Sequence, residues 1–314
     1  MIKKSFRKGV IVAMIVKGKG VKCGLFVSIL CLIVTYIHIT SVFAYAQKNF
    51  IWRVQSNKST VYILGSIHML KQDIYPLSST IENAFDASAV LAVEADINDI
   101  SHLDVQSFME SAFYSGDDTL DKHVSGSTLE TLKEQTDRLG LPFEVVAKQK
   151  PWFLGLMLES LELMKSGYNP DYGIDKYFLS KAGNKKKVVE LESLEYQMDL
   201  LSGLNDNEQE LFLLYTIKDL KILGQEIDTL VEAWKSGAAD SIESTVAKSF
   251  PDDRRFLSLY DKLIYKRNRN MTSKIDGFLK TRSTYFVVVG AAHLLGDKGI
   301  IQLLQRKGYS VEQL

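Results

Sequence analysis

Two of the histidines follow the same local pattern, a β-branched apolar run that leads into Gly-x-x-His. One copy ends at His68 and the other at His293, with Gly65 and Gly290 three residues earlier. Apolar runs of this kind suit buried strands, and glycine permits a tight turn where a strand ends. Because open α/β sheets bind ligands beyond the carboxyl ends of their strands, the two imidazoles are predicted to converge on one site. The alternative for each histidine is a structural, hydrogen-bonded role after its strand.

Two glutamates, Glu94 and Glu192, also follow predicted strands. Imidazole and carboxylate donors together suit zinc, manganese, iron or cobalt, so these glutamates with His68 and His293 predict a divalent-metal site. A cation there could lower the pKa of a water and polarise a carbonyl, with one glutamate as general base instead of ligand. Because Glu192 lies among other acidic residues, an exposed acidic turn is the alternative interpretation for it.

The remaining polar candidates are not predicted to be catalytic residues or metal ligands. Asp96, two residues beyond Glu94, is predicted to point the same way and to hydrogen-bond a ligand of the site. His102 and His123 lie in polar, loop-like surroundings, which predict surface positions. The chain lacks H-E-x-x-H, G-x-S-x-G, G-x-G-x-x-G and Walker sequences. The common signatures of zinc proteases, serine hydrolases and nucleotide-binding proteins are therefore absent.

The first 46 residues have the order of a secretory signal peptide. They contain seven lysines and arginines and no acid, then an apolar stretch at 25–39, then the small-x-small sequence Ala44-Tyr45-Ala46. Cleavage there predicts an exported protein, periplasmic or extracellular, that contacts a membrane only transiently through this leader. An uncleaved leader that anchors the protein in the membrane is the alternative. Met14 is a second possible start, because it leaves a shorter basic region.

Residues 47–314 carry 31 lysines and arginines against 38 acidic residues, a net charge of −7. This acidity argues against a nucleic-acid partner, which requires a basic surface. Both cysteines, Cys23 and Cys31, lie in the leader, so the remainder has no disulfide, thiol nucleophile or thiolate ligand. The length of the remainder suits one large α/β domain with a helical insertion.

The elements that position the candidate residues follow from periodicity. Helix 80–88 lies between strands 61–64 and 89–93, and this strand–helix–strand order predicts parallel strands. The predicted strands are 50–54, 61–64, 89–93, 188–191, 285–289 and 309–311, and the predicted helices are 80–88, 129–139, 151–165, 173–182, 208–234, 254–279 and 299–307.

These elements predict the α/β class, with a mixed, largely parallel sheet flanked by helices in a domain of residues 47–314. A helical insertion is predicted at about 100–280. Helix 208–234 carries an apolar stripe, which usually packs in a core and only rarely forms a partner surface.

The two motifs, Gly65-Ser66-Ile67-His68 and Gly290-Ala291-Ala292-His293, resemble the GxxH motifs of the TraB/GumN family. That family belongs with the Tiki metalloproteases in a wider group that includes ChaN-like and erythromycin-esterase-like proteins. The resemblance extends over nearly all of residues 47–314. The other matching segments are Val93-Glu94-Ala95-Asp96, Gly173-Ile174-Asp175, Leu191-Glu192-Ser193 with Gln197, Arg267-Asn268-Arg269-Asn270-Met271, and the close from His293 through Gly299 to Gly308-Tyr309.

The resemblance implies an α/β fold with a helical insertion and, for the Tiki branch, metal-dependent peptidase activity on a peptide or protein. It carries the metal-ligand role to His68, Glu94, Glu192 and His293. It also implies that Arg267 and Asn268 are site residues, where the guanidinium could bind a carboxylate or an oxyanion. For these last two residues, ordinary polarity on a helix surface is the alternative.

Three functions fit the sequence. The first is an exported metal-dependent hydrolase, a peptidase. The second is a non-catalytic exported protein that sequesters a peptide, haem or a metal with the same donors, since other members of the family are linked to peptide-pheromone shutdown or haem-iron binding. The third is an adaptor that binds partners through helix 208–234. The sequence leaves the oligomeric state, the substrate and the metal open.

Overall fold

Six strands form one mixed sheet at the centre of the fold. The computed structural model describes residues 48–99, 104–248 and 253–314, so the predicted leader and His102 lie outside the described residues. Contacts group Gln47–Leu314 into one compact unit. The strands are β1 Ile51–Gln55, β2 Thr60–Ser66, β3 Val90–Val93, β4 Lys187–Glu190, β5 Thr284–Gly290 and β6 Ser310–Gln313.

The strand order in the sheet is β4-β3-β5-β2-β1-β6. Strands β2, β3, β4 and β5 run parallel, and β1 is antiparallel to both β2 and β6. The predicted fold class is therefore confirmed. β5 lies between β2 and β3, with Val288 opposite Leu64 on one side and Val93 on the other. This register places the carboxyl ends of the central parallel strands side by side.

The central strands are buried on both faces, which explains why their sequences are apolar without alternation. The four residues from Phe286 to Val289 are fully buried. Phe286 contacts Phe85 and Phe178 from two flanking helices, with ring centroids 5.4 and 4.7 Å away. Aromatic pairs of this kind contribute packing energy beyond their buried area.

Thirteen α-helices flank the sheet in the described part of the chain, and a π-helical turn, Asp261–Tyr265, joins α10 to α11. None of the helices searched there is both long and apolar enough to cross a bilayer. The helices are α1 Ser79–Asp86, α2 Val105–Ala112, α3 Gly126–Leu139, α4 Phe143–Val146, α5 Pro151–Lys165, α6 Ile174–Ala182, α7 Leu194–Ser202, α8 Asp206–Lys235, α9 Ala239–Lys248, α10 Arg254–Tyr260, α11 Lys266–Phe278, α12 Ala291–Leu294 and α13 Ile300–Arg306.

The long helix α8 belongs to two cores. Its Leu213, Ile217 and Leu220 pack with α3 and α5 in a separate helical cluster. Further along, Val231 and Trp234 pack in the core of the sheet. The predicted apolar stripe of this helix is therefore core. The indole N–H of Trp234 also donates to the carbonyl of Gly65 at 2.6 Å, so α8 holds the carboxyl end of β2 in place.

His123 links two helical segments and is not a free surface residue. Its side chain is 23% exposed and stacks on Tyr114, with ring centroids 4.3 Å apart. Its two ring nitrogens lie 2.9 Å from a carboxylate oxygen of Asp118 and 3.2 Å from one of Asp206. The imidazolium thereby joins the loop after α2 to the first turn of α8.

We expect His123 to make the stability of the insertion depend on pH. Partial burial lowers the pKa of His123, but the hydrogen bonds to Asp118 and Asp206 outweigh it and hold the pKa above its ordinary value. The stabilisation is then complete below about pH 6.5, and it is lost as the pH rises through the raised pKa. His123→Gln should cost up to about 1 kcal/mol more in urea unfolding at pH 6 than at pH 9. An equal cost at both pH values would contradict this assignment.

Candidate active site

The four predicted residues at strand ends come from four adjacent parallel strands. His68 lies two residues beyond β2, Glu94 directly follows β3, and Glu192 lies two residues beyond β4. His293 lies in the short helix α12 that follows β5. All four are therefore at the carboxyl edge of the sheet, where ligands bind in α/β folds.

Three of these side chains surround the backbone of Gly290. A Cβ atom at this position would lie 3.3 Å from Glu94 Oε1, 3.4 Å from His293 Cδ2 and 4.0 Å from His68 Nε2. The two Gly-x-x-His motifs therefore bring their imidazoles to the same place, beside one carboxylate. A side chain at position 290 would occupy that space.

The glycines of the motifs serve close packing and not a left-handed turn. Gly290 has φ −51°, and Gly65 lies within β2. A Cβ at Gly65 would lie 2.4 Å from the ring of Phe50 and 3.1 Å from the Cα of Ala291. Gly290 ends β5 and leads directly into α12, so the predicted turn at this strand end is present, with ordinary backbone angles. At Gly65 a glycine is required because no side chain fits beside the backbone.

Glu94 is buried and surrounded by donors. The Gly290 N–H donates to Oε1 at 2.5 Å, and Arg267 Nη2 donates to Oε2 at 2.8 Å. His293 Nε2 lies 3.8 Å from Oε1. Burial raises the pKa of Glu94, but the positive charges that His293, Arg267 and His68 carry at the acidic pH where a carboxyl titrates, together with the bond from Gly290, outweigh it and lower the pKa. Glu94 is therefore an ionised carboxylate at neutral pH.

Arg267 joins the two glutamates. Its Nε and Nη2 donate to Glu192 Oε2 at 3.0 and 2.7 Å, in addition to the bond to Glu94. The Gln197 amide donates to Glu94 at 3.2 Å and to Glu192 at 3.0 Å. The carboxylate of Glu192 is 3% exposed and that of Glu94 is 9% exposed. Two buried negative charges thus share one guanidinium, which neutralises only part of their charge.

These positions exclude two of the alternatives from the sequence. Glu192 is buried, so it is not part of an exposed acidic turn. Asn268 is fully buried, and the side chain of Arg267 is 13% exposed, so neither is ordinary polarity on a helix surface. Their chemical roles stay predictions.

His68 is held at one nitrogen and exposed at the other. Its Nδ1 lies 2.8 Å from Oδ2 of Asp175, which is buried in the first turn of α6. The negative charge of Asp175 is the main cause that raises the pKa of His68 to about 9. The side chain of His68 is 68% exposed, so Nε2 is accessible to a ligand.

His293 is held in the same way but is buried. Its Nδ1 lies 2.6 Å from Asn268 Oδ1, and the Asn268 amide N–H donates to the carbonyl of Lys298 at 2.9 Å. This second bond orients the amide, so Oδ1 accepts the Nδ1 proton of His293 and leaves Nε2 as the basic nitrogen. Burial is the largest cause that lowers the pKa of His293. A neutral imidazole therefore faces Glu94.

Sequence reasoning assigned no role to three residues that contact the site. Asp175 and Gln197 were marked only by their resemblance to family segments, and Trp234 only as the last residue of the predicted helix 208–234. Asp96, which the sequence assigned to the site, caps a turn instead, because its carboxylate accepts the backbone N–H of Asn98 at 3.0 Å. The backbone N–H of Asp96 donates to Glu190 at 2.7 Å.

Fold and site together define the class of protein, an α/β protein whose two Gly-x-x-His motifs and strand-end glutamates meet at the carboxyl edge of one sheet. A sequence profile of the TraB/PrgY/gumN family matches residues 50–313. The chain belongs to this family, which confirms the resemblance drawn from the motifs.

Proteins of several organisms are similar in sequence to this chain. The chain is 27% identical over 245 residues to the uncharacterized protein YbaP of Escherichia coli K12, with 78% of this chain and 87% of that protein covered. It is 23% identical over 319 residues to metalloprotease TIKI2 of Danio rerio, with 85% and 61% covered. It is 26% identical over 164 residues to the metalloprotease TIKI homolog of Amphimedon queenslandica, with 51% and 30% covered. No solved structure matches significantly.

Proposed function

We propose that this protein is an exported metal-dependent hydrolase that cleaves peptide bonds. The observation that carries the proposal is the pair of imidazoles, each held at Nδ1 by a buried partner, that meet the ionised carboxylate of Glu94 around Gly290. The names of the TIKI relatives, which are metalloproteases, support the same reaction class. Export rests on the leader predicted at residues 1–46.

The donors fit a divalent cation in part. Metal-ligating histidines usually bond their second nitrogen to a carboxylate or carbonyl group, as His68 does to Asp175 and His293 to Asn268. Within the described ranges, however, no group of three or more His, Cys, Asp or Glu residues has the geometry of a metal site. Binding a cation also requires His68 to lose its proton. In this proposal, His68, His293 and Glu94 are the residues that would hold the cation.

Glu192 has a different role in this proposal. Its two oxygens already accept hydrogen bonds from Arg267 and Gln197, so it is poorly placed to bind a cation as well. It serves instead to hold Arg267 against Glu94. The guanidinium in turn keeps Glu94 ionised, and an ionised carboxylate can bind a cation or accept a proton.

The chemistry follows from these positions. Zinc, manganese, iron or cobalt in this site would polarise a peptide carbonyl and lower the pKa of a water. The protein residues fix the geometry: Asp175 orients His68, and Asn268 orients His293. Gly290 leaves open the space that its missing Cβ would fill, between Glu94 and both imidazoles.

Turnover of a defined peptide library tests the proposal. We expect the purified protein to cleave library peptides after addition of Zn²⁺, Mn²⁺, Fe²⁺ or Co²⁺. His68→Ala and His293→Ala should each reduce turnover by about 10²-fold or more while circular dichroism shows an intact fold. Turnover like that of the wild type in both variants would contradict the proposal.

A further inference from the structure

A groove of about 640 Å³ begins at Glu192 and leads away from the candidate site. One wall is formed by the carboxyl end of β4 and the start of α7. The other wall is formed by α11. This volume is within the range of sites that bind a ligand of a few residues. The polar side chains of its walls include those of Glu190, Glu192, Tyr196, Asn270, Ser273 and Lys274.

The groove and the site share one face of α11. Arg267, Asn270 and Lys274 are spaced by three and four residues, so they form a row along the helix. Arg267 binds both glutamates of the site. Lys274 follows it by seven residues, which is about 10 Å along a helix axis. An extended peptide covers that distance with about three residues.

One cation of the groove is free to bind an acidic side chain. Glu192 is paired with Arg267, whereas Glu190 is an exposed carboxylate that accepts the backbone N–H of Asp96. Lys274 has no ion-pair partner among the residues that the structure describes, and it is exposed. A carboxylate is the complement of this free ammonium, and the Asn270 amide and Ser273 hydroxyl are further donors beside it.

The position of the groove favours an extended peptide. β4 is an edge strand of the six-stranded sheet, so one side of its main chain has no strand partner within the described ranges. Extended peptides add to such edges through main-chain hydrogen bonds, and pockets beside the edge then select side chains. The groove lies beside the carboxyl end of β4, where the chain continues from this edge strand to Glu192 at the candidate site.

We propose that this groove binds an extended peptide and that Lys274 pairs with an Asp or Glu side chain about three residues from the bond that lies at the site. The inference rests on the proposed function, since it names the substrate class of the same site. Lys274 sets specificity and takes no part in the reaction.

Selection of peptides by binding tests this. A synthetic library of eight-residue peptides is passed over the immobilised protein in the presence of a chelator, which prevents turnover. The retained peptides are then sequenced by mass spectrometry. We expect the wild type to enrich Asp and Glu at one position. Lys274→Glu should reduce that enrichment roughly fivefold, the worth of an exposed ion pair. The control is Lys58→Glu, an exposed lysine in the turn between β1 and β2, which should bind like the wild type.

Equal acidic enrichment in the wild type and in Lys274→Glu would overturn the inference, and so would failure of the wild type to retain any peptide. Cleavage of the library, measured separately without chelator, reports on the proposed function. Acidic enrichment without cleavage would overturn the hydrolase and keep the groove. Cleavage with enrichment unaffected by Lys274→Glu would overturn the groove and keep the hydrolase.

Discussion

Arg267→Ala is expected to destabilise the protein by about 3–5 kcal/mol and to abolish turnover. The substitution leaves the carboxylates of Glu94 and Glu192 buried side by side without the guanidinium that both accept from. Uncompensated burial of charge is among the costliest changes a folded protein can undergo. The pKa of Glu94 should then rise, because the charge of Arg267 no longer lowers it, and a protonated Glu94 lacks the negative charge that the site needs.

Urea unfolding of the wild type and the variant measures this cost. The control is Arg269→Ala on the same helix, because Arg269 is exposed and its Nη1 lies 3.5 Å from Asp261 at the surface. That substitution should change stability by less than about 1 kcal/mol. Arg267→Lys should recover only part of the loss, since an ammonium cannot form the same set of bonds to two carboxylates. Native stability in Arg267→Ala would contradict the assigned role.

Asn268→Ala is expected to lower metal affinity and turnover by about 10- to 100-fold. Asn268 connects His293 Nδ1 to the carbonyl of Lys298, and it is fully buried. Without it, the imidazole of His293 loses the bond that fixes both its orientation and its tautomer. The buried Nδ1 of His293 also loses its partner, which costs about 1–3 kcal/mol for a polar group left unsatisfied.

Metal titration and urea unfolding of Asn268→Ala separate these two effects. The control is Asn83→Ala, an exposed asparagine within α1, where alanine should be neutral or slightly stabilising because it favours the helix. If Asn268→Ala loses stability but binds metal like the wild type, Asn268 has a structural role alone.

Those parts of the fold and the site that depend on local interactions could be predicted from the sequence. β2 and β5 could be predicted because β-branched runs buried on both faces have few other conformations available to them. Their ends could then be placed at one edge of the sheet by the rule that parallel strands share a direction. His68 and His293 follow from this rule alone, without the family resemblance.

The rest depends on interactions between distant segments. Nothing local places β5 between β2 and β3, since that order is set by packing of the whole sheet. α7 was missed because none of its residues is fully buried, so its apolar periodicity is weak. Asp175 lies 107 residues from His68 in the chain, and Arg267 lies 173 residues from Glu94. Pairs this far apart leave no pattern that a single sequence can reveal.

Elemental mass spectrometry of the protein purified without chelator tests the central claim most directly. The wild type and the His68→Ala/His293→Ala double variant are compared before and after incubation with Zn²⁺, Mn²⁺, Fe²⁺ and Co²⁺. We expect close to one equivalent of one of these metals in the wild type and its loss in the double variant, with the fold intact. Absence of metal from the wild type, even after incubation, would contradict a metal-dependent hydrolase and favour an exported binding protein.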